Sequence, residues 1–264
     1  MSDERLADRV ALVTGVSRKQ GIGFAITRRL LREGGSAFVQ SWTAHDAQQP
    51  WGADREGVDG VLAGLGGTSR LGHAEIDLGD PDGPQRTVDA AVRALGPLNT
   101  LVVNHARSSK QGLGQLTADE LDRSWAVNAR ATLLLVQAFV ESYNDQGAGR
   151  VVLFTSGQHL APMVDELPYA VSKGAIHQMT LSLADALIDR GITVNCINPG
   201  PTDTGWAGDD TEQLVRNAMP RRRWNSPEEA AAVVMWLLSS DSATVTGQVI
   251  NAEGGFRRHR LGMD

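Results

Sequence analysis

The sequence predicts an α/β fold in which one doubly wound parallel sheet of seven strands carries helices on both faces. Two observations lead to this prediction. Short apolar runs with strand character alternate with amphipathic segments through all 264 residues, an order typical of parallel sheets with right-handed crossovers. A glycine-rich turn also follows the first apolar run directly. No internal repeat or low-complexity segment interrupts the alternation, so we expect a single domain over residues 1–264.

Each element follows from its own pattern along the chain. Apolar runs predict strands at 9–14, 36–42, 70–76, 98–104, 150–156, 192–198 and 247–251. Helical periodicity predicts helices at 22–33, 55–65, 80–95, 118–145, 167–190, 207–218 and 226–239. Residues 43–57 fit neither pattern and are predicted as a long irregular loop. Trp51 within it either anchors the loop or serves the function.

Composition and charge exclude several classes of function. The formal net charge of −6 argues against a general binder of nucleic acid or anionic membranes. Cys196 is the only cysteine, so no internal disulfide forms. The six histidines show no ligand pair at zinc spacing, and no metal is expected. Residues 1–5 lack an apolar signal core and no apolar run approaches about 18 residues, so we expect a cytoplasmic protein.

The first strand leads into a turn suited to a pyrophosphate. Gly15 follows the apolar run 10–13, and Gly21, Ile22 and Gly23 begin a helix. Glycines allow close approach of the backbone to a phosphate, and the N–H groups at a helix N-terminus attract the negative charge. The position of these glycines between a buried strand and a helix therefore predicts a dinucleotide site.

Tyr169 and Lys173 are the residues that carry most information about chemistry. They lie four positions apart in a helical segment, which places both on one helix face. The field of an ammonium favours the phenolate, so we expect the Tyr169 pKa to lie below its ordinary value of about 10. Such a phenol is a proton donor and acceptor usable near neutral pH. Ser156 ends an apolar run upstream, and Asn128 lies in a long helical pattern.

Together these residues resemble the short-chain dehydrogenase/reductase family, with motifs in the family's order from about Leu6 to Phe256. The resemblance implies a Rossmann domain and hydride transfer between a nicotinamide and a carbonyl or secondary alcohol. It implies that Tyr169 donates the proton and Ser156 hydrogen-bonds the reacting oxygen. Lys173 would bind the nicotinamide ribose, and Asn128 would hold a water that resupplies the proton.

The resemblance also assigns further cofactor contacts. Asp77 and Leu78 stand where the family contacts adenine, although Asp77 also suits a helix cap. The segment 104–107 stands where the family usually has Asn-Asn-Ala-Gly: Asn104 and Ala106 match, whereas His105 and Arg107 depart. In the segment that holds the nicotinamide amide the matching residues are Pro199, Gly200, Thr202 and Thr204, with Thr202 acting through its backbone and Thr204 through its hydroxyl. In the closing segment Glu253 replaces the family's usual Asp.

The preferred cofactor is argued from the end of the second strand. NAD-preferring relatives carry an acid there, but this chain has Trp42, and we expect Asp46 to lie too far along to reach. Arg18 and Lys19 lie in a glycine loop two residues longer than usual and either bind a 2′-phosphate or point into solvent. NADP(H) is therefore favoured over NAD(H). Ser17 either donates to a phosphate or is a turn residue.

The sequence thus predicts an NADPH-dependent carbonyl reductase similar to bacterial 3-oxoacyl reductases. Two alternatives stay open: an NAD-dependent secondary-alcohol dehydrogenase, and a redox-sensing dinucleotide binder without chemistry. Relatives that reduce C=C bonds use a wider Tyr–Lys spacing, which disfavours that reaction. The resemblance implies a substrate lid near 205–224, a homotetramer (or homodimer) and a small-molecule substrate. His159 either lines the substrate pocket or lies on the surface, and we favour the pocket.

Overall fold

The computed structural model describes residues 5–145 and 148–261, so residues 1–4, 146–147 and 262–264 of the predicted domain lie outside the described part. All seven strands run parallel in one sheet, with the order β3-β2-β1-β4-β5-β6-β7. The strands are β1 (Val10–Thr14), β2 (Ser36–Ser41), β3 (Leu71–Glu75), β4 (Thr100–Val103), β5 (Gly149–Phe154), β6 (Ile192–Asn198) and β7 (Val249–Asn251). The predicted fold class is confirmed.

Helices cover both faces of the sheet. They are α1 (Ile22–Arg32), α2 (Thr43–Ala47), α3 (Gly57–Gly64), α4 (Gly83–Leu95), α5 (Ala118–Ser124), α6 (Ala131–Ser142), α7 (Leu167–Leu187), α8 (Asp209–Ala218) and α9 (Pro227–Leu238). One apolar cluster joins α1 and α9 to the sheet, and a second joins α4, α6 and α7 to the opposite face. Because both faces are covered, β5 and β6 are buried along their whole length.

The helix predicted over 118–145 is divided in three. Between α5 and α6 the backbone forms a π-helical segment, Trp125–Arg130, and the helix ends at Ser142. The predicted irregular loop 43–57 also differs, because its first residues form the short helix α2. Within that loop the Trp51 Nε1 donates a hydrogen bond to Asp46 Oδ1 at 2.9 Å, which is the contact of an anchor.

The strand order shows at which end of the sheet a ligand is expected to bind. β1 lies between β2 and β4, so the connections after β1 and β4 leave toward opposite sides of the sheet. Ligands of doubly wound sheets bind in the crevice that this divergence opens at the carboxyl ends of the strands. No helix in the described part of the chain has the length and apolar character needed to span a bilayer.

Candidate active site

Tyr169 and Lys173 share one face of α7. The Lys173 Nζ lies 5.8 Å from the centre of the Tyr169 ring, and the lysine is almost completely buried. Its ammonium donates a hydrogen bond to the Phe154 carbonyl at 2.8 Å, at the end of β5. Thr155 adds a second link by donating its hydroxyl proton to the Lys173 carbonyl at 2.8 Å. These two hydrogen bonds therefore hold α7 against the end of β5, shortly before Ser156.

Ser156 lies two residues after the end of β5, and its hydroxyl is close enough to the Tyr169 phenol to influence its pKa. The backbone N–H of Ser156 donates to Gln158 Oε1 at 3.2 Å, which holds the turn after the strand. The structure thus brings Ser156, Tyr169 and Lys173 into one cluster. A hydroxyl beside a phenol presents two donors to one point, which suits an oxygen on which negative charge develops.

The expected lowering of the Tyr169 pKa is wrong for this structure. Burial raises the pKa of Tyr169 to about 12, and the neighbouring Ser156 hydroxyl only partly opposes this rise. Desolvation prevails because the Lys173 ammonium is directed at the Phe154 carbonyl. The lysine is affected by the same cause, since burial lowers the pKa of Lys173 from 10.5 to about 8. At neutral pH the phenol keeps its proton and the lysine keeps most of its charge.

Asn128 lies in the π-helical segment with its side chain fully buried. Its Oδ1 accepts the Arg107 N–H at 2.7 Å, while its Nδ2 donates to the Arg107 carbonyl at 3.0 Å and to Ser172 Oγ at 2.9 Å. Ser172 Oγ donates in turn to the Tyr169 carbonyl at 2.8 Å. Asn128 therefore joins the loop after β4 to the helix that carries Tyr169. Its expected role in holding a water stays a prediction.

A cavity of about 550 Å³ opens at the carboxyl ends of the central strands. The predicted cofactor residues in its wall are Gly15, Ser17, Arg18, Gly21, Ile22, Trp42, Asp77, Leu78, Asn104, Ala106 and Thr204. Gly23, Pro199, Gly200, Thr202, Tyr169 and Lys173 are not among the residues of its wall. The Thr202 hydroxyl is turned into its own loop, where it donates to the Gly200 carbonyl at 3.2 Å.

Gly15 and Gly23 explain the shape of the cavity at the start of α1. Gly15 has φ +74°, and a Cβ there would lie 2.7 Å from the His105 Cα. A Cβ at Gly23 would lie 2.6 Å from the Gly15 carbonyl oxygen. Gly21 is the N-cap residue of α1, and no side-chain hydrogen bond caps the helix there. The backbone N–H groups of the first turn of α1 therefore have no capping side chain as acceptor. A diphosphate fits this combination of close backbone and helix N-terminus.

The expectation that Asp46 lies too far along the chain is also wrong. α2 brings Ala44, His45, Asp46 and Gln48 into the cavity wall beside Trp42. A carboxylate is therefore present on the side of the cavity where a 2′-phosphate was expected to meet none. No pattern in the sequence predicts α2, because this helix spans only five residues inside a segment without periodicity.

The two basic residues of the long glycine loop differ in their surroundings. The Arg18 Nη2 donates to the Thr204 carbonyl at 2.5 Å, so this side chain lies in the cavity wall beside the loop that precedes residue 205. The Lys19 ammonium instead forms an ion pair with Glu56 at 2.8 Å. Lys19 is not among the residues of the cavity wall, so of its two alternatives the structure favours a position outside the 2′-phosphate site.

Asp77 does not cap the next helix. Its Oδ1 accepts the Gly79 N–H at 2.7 Å within the loop after β3, while α4 begins only after Asp82.

The prediction that His159 lies in the pocket is wrong as well. His159 is exposed on the surface, where its ring stacks on His177 with 4.6 Å between the ring centres.

The two departures from the family pattern after β4 have clear structural roles. His105 is buried, with Nδ1 2.8 Å from Thr14 Oγ1 and Nε2 2.8 Å from the Val127 carbonyl. Because a carbonyl only accepts, Nε2 carries the proton and Nδ1 accepts from Thr14. Arg107 forms a bidentate ion pair with Glu120, at 2.9 and 2.7 Å. The loop keeps its place with an arginine where the family usually has glycine.

Fold, cleft and polar cluster together define a nicotinamide-dependent oxidoreductase. A sequence model described as Enoyl-(Acyl carrier protein) reductase matches residues 15–257. The uncharacterized oxidoreductase YjdA of Bacillus subtilis is 35% identical over 95% of this chain and 98% of its own length. The chain belongs to the short-chain dehydrogenase/reductase family, and it is an NAD(P)-dependent oxidoreductase.

Two solved structures have closely similar folds. A short chain dehydrogenase from Burkholderia cenocepacia in complex with NADP has a TM-score of 0.83 and 30% identity, covering 95% of this chain and 98% of the other. The promiscuous reductase LugOII, which catalyzes keto-reduction at C1 during lugdunomycin biosynthesis, has a TM-score of 0.82 and 31% identity, with the same two coverages. Within the described residues no group of three or more His, Cys, Asp or Glu is placed to hold a metal ion.

Proposed function

We propose that the protein reduces a ketone or other carbonyl to a secondary alcohol with NADPH, using Tyr169 as the proton donor. The observation that carries the proposal is the cluster in which the Ser156 hydroxyl lies beside the Tyr169 phenol and the Lys173 Nζ lies 5.8 Å from the centre of the Tyr169 ring. A phenol that holds its proton at neutral pH is ready to donate it. The oxidative direction needs a phenolate as base, which this environment disfavours.

The cofactor site follows from the cavity and the strand ends. Gly15 and Gly21 lie in the cavity wall before the start of α1. The backbone there would hold the diphosphate. The nicotinamide half would lie toward Lys173, Pro199 and Thr202 by family resemblance. Bound NADPH supplies the hydride. The chain itself holds the proton at the Tyr169 Oη.

Lys173 acts on this site through its charge. Its Nζ is buried with the Phe154 carbonyl as its hydrogen-bond acceptor, which leaves donor capacity for the ribose hydroxyls. A cation held here favours the phenolate that remains after proton donation. By family resemblance Asn128 supports return of the proton from solvent, and its buried amide keeps the loop after β4 in register with α7.

Two observations support a preference for NADP(H), and one observation opposes it. Arg18 lies in the cavity wall and a structurally similar dehydrogenase was solved with NADP. Asp46 in the same wall favours NAD(H), because its carboxylate repels a 2′-phosphate and accepts from ribose hydroxyls. Titration with each cofactor by quenching of tryptophan fluorescence decides between them. NADH binding about ten-fold tighter than NADPH would reverse the preference.

Turnover is tested by a panel of ketones, β-keto thioesters and an enoyl thioester, with Tyr169→Phe as the diagnostic variant. We expect carbonyl reduction by the wild type and a loss of about 10²- to 10⁴-fold in the variant, because the general acid is gone. Cofactor affinity should change by less than a few-fold. Tight cofactor binding without any turnover would favour a sensor, and reduction of only the enoyl thioester would favour the reaction in the family description.

Further parts of the proposal concern the whole chain. We infer one domain, with a lid at 205–224 that contains α8 and packs through Trp206 and Trp224, whose rings lie 5.6 Å apart. A homotetramer is supported by apolar side chains exposed on the helices expected at its interface, among them Trp125 before α6 and Leu181 on α7. Sedimentation analysis tests the tetramer. The cytoplasmic location stays a prediction from the sequence.

A further inference from the structure

Glu253 and Arg258 form an ion pair next to the proposed site that the mechanism above does not use. The Arg258 Nη1 donates to Glu253 Oε2 at 2.5 Å and its Nη2 donates to Glu253 Oε1, so the pair is bidentate. The Arg258 side chain is only 18% exposed and the Glu253 side chain only 9%. A buried bidentate pair fixes both partners in distance and orientation, which a surface ion pair does not do.

The carboxylate of this pair reaches the loop expected at the nicotinamide. Asn198, the last residue of β6, donates its Nδ2 to Glu253 Oε1 at 2.7 Å. The Asn198 Oδ1 accepts the Gly200 N–H at 3.1 Å. Gly200 has φ +64°, and a Cβ there would lie 2.8 Å from the Glu253 Cα and Cβ. Glu253 therefore sets the position of Gly200 both by hydrogen bonds and by direct contact.

The guanidinium of the pair reaches the loop that carries the catalytic serine. A Cβ placed on Gly157, the residue after Ser156, would lie 2.7 Å from the Arg258 Cζ. Arg258 also lies 5.0 Å over the Phe256 ring. Phe256 packs against the lid cluster of Val215, Met219 and Trp224. One arginine thus contacts the turn after Ser156 and stacks on a ring that belongs to the lid cluster.

We propose that Glu253 and Arg258 are a positioning pair for hydride transfer, which keeps the Ser156 turn and the Pro199–Gly200 turn at a fixed separation. This inference rests on the proposed function, because the two turns hold the proton-donating cluster and the expected nicotinamide site. Glu253 stands where the family resemblance places an aspartate, and its side chain contacts both Asn198 and Arg258. Misplacement of reacting groups by about 1 Å costs about 100-fold in rate.

The main test compares Arg258→Met with Arg257→Met. Arg257 is the exposed neighbour, so its substitution matches the change in charge and chain position while leaving the pair intact. We expect Arg258→Met to lower kcat by roughly 10- to 100-fold, with the KM for NADPH within about three-fold of wild type. Arg257→Met should retain wild-type kinetics. Equal kcat values for the two variants would overturn the proposal.

A readout without cofactor accompanies the kinetics. Hydrogen–deuterium exchange of the unliganded protein should speed up at residues 157–160 and 199–205 in Arg258→Met, and at neither segment in Arg257→Met, because the pair no longer holds the turns. Faster exchange confined to the last residues of the chain would contradict the proposal. It would show that Arg258 merely fastens the C-terminus.

A double-mutant cycle separates positioning from simple loss of folding. Glu253→Gln, Arg258→Met and their combination should cost kcat non-additively, since each single change already breaks the pair. Arg258→Lys keeps the charge without the planar fork and should restore only part of the rate, even if Arg258→Met folds poorly. Additive losses would overturn the proposal. A wild type inactive on every carbonyl would instead refute the proposed function, whereas an active wild type with unaffected variants would refute only this inference.

Discussion

The buried imidazole of His105 makes a pH-dependent contribution to stability that the structure specifies in sign and size. Burial lowers the pKa of His105 from 6.5 to about 4. Between these values the unfolded chain binds a proton that the folded chain excludes, so stability is lost as the pH falls from about 6.5 to 4. One pKa unit corresponds to about 1.4 kcal/mol, and the loss reaches about 3 kcal/mol at pH 4.

The perturbation that isolates this contribution is His105→Asn. The asparagine does not titrate, and its amide still reaches Thr14 but is too short to replace the 2.8 Å contact with the Val127 carbonyl. At pH 7 we expect the variant to be less stable by about 2 kcal/mol, since a buried carbonyl loses its partner. At pH 4 the deficit should vanish or reverse, because only the wild type has lost the histidine contribution.

The assay is urea unfolding followed by tryptophan fluorescence between pH 4 and 8, at one protein concentration because an oligomer makes stability concentration-dependent. Titrating carboxylates cancel in the difference between wild type and variant. His259→Asn removes an exposed histidine that is far from His105 in the sequence, and it is the matched control against which the His105→Asn difference is compared. A difference between wild type and His105→Asn that stays constant over this range would refute the reasoning.

Three further substitutions test the site. Gly23→Ala should weaken NADPH binding by about ten-fold or more in a fluorescence titration, because its Cβ would lie 2.6 Å from the Gly15 carbonyl that shapes the turn; unchanged affinity would contradict the close packing. Lys173→Met should abolish turnover yet leave the Tm equal or higher, because it removes a buried charge, and a clearly lower Tm would contradict this. Arg18→Ala should weaken NADPH by about ten-fold and NADH much less, and equal losses would remove Arg18 from a 2′-phosphate site.

The centre of the sheet was predictable from the sequence because the central strands are buried on both faces. Apolar residues predominate in β5 and β6 for that reason, and the predicted limits of these two strands differ from the observed ones by no more than two residues. The π-helical segment was not predictable. Apolar periodicity continues across Trp125–Arg130, and a π-turn changes the backbone hydrogen bonds without changing the residue types that a buried helix requires.

Charge and burial at the candidate site were less accessible to sequence reasoning. Spacing alone placed Tyr169 and Lys173 on one helix face, but it contained no information on what the ammonium contacts. The Phe154 carbonyl comes from a distant part of the chain, and it decides the direction of the Lys173 Nζ. Asp46 illustrates the same limit, because a helix of one turn moved its carboxylate into a wall that residue counting placed out of reach.

The energetics of Lys173 argue that its position is retained for chemistry. The lysine is 2% exposed, its hydrogen-bond acceptor is the Phe154 carbonyl, and no ion pair in the described part of the chain includes it. Burial lowers its pKa to about 8, so holding the charge at neutral pH costs folding stability. An apolar residue of similar length would fill the same space at lower cost. A strongly perturbed lysine beside the half-buried Tyr169 phenol is the pattern expected of a reacting site, since stability alone gives no reason to keep it.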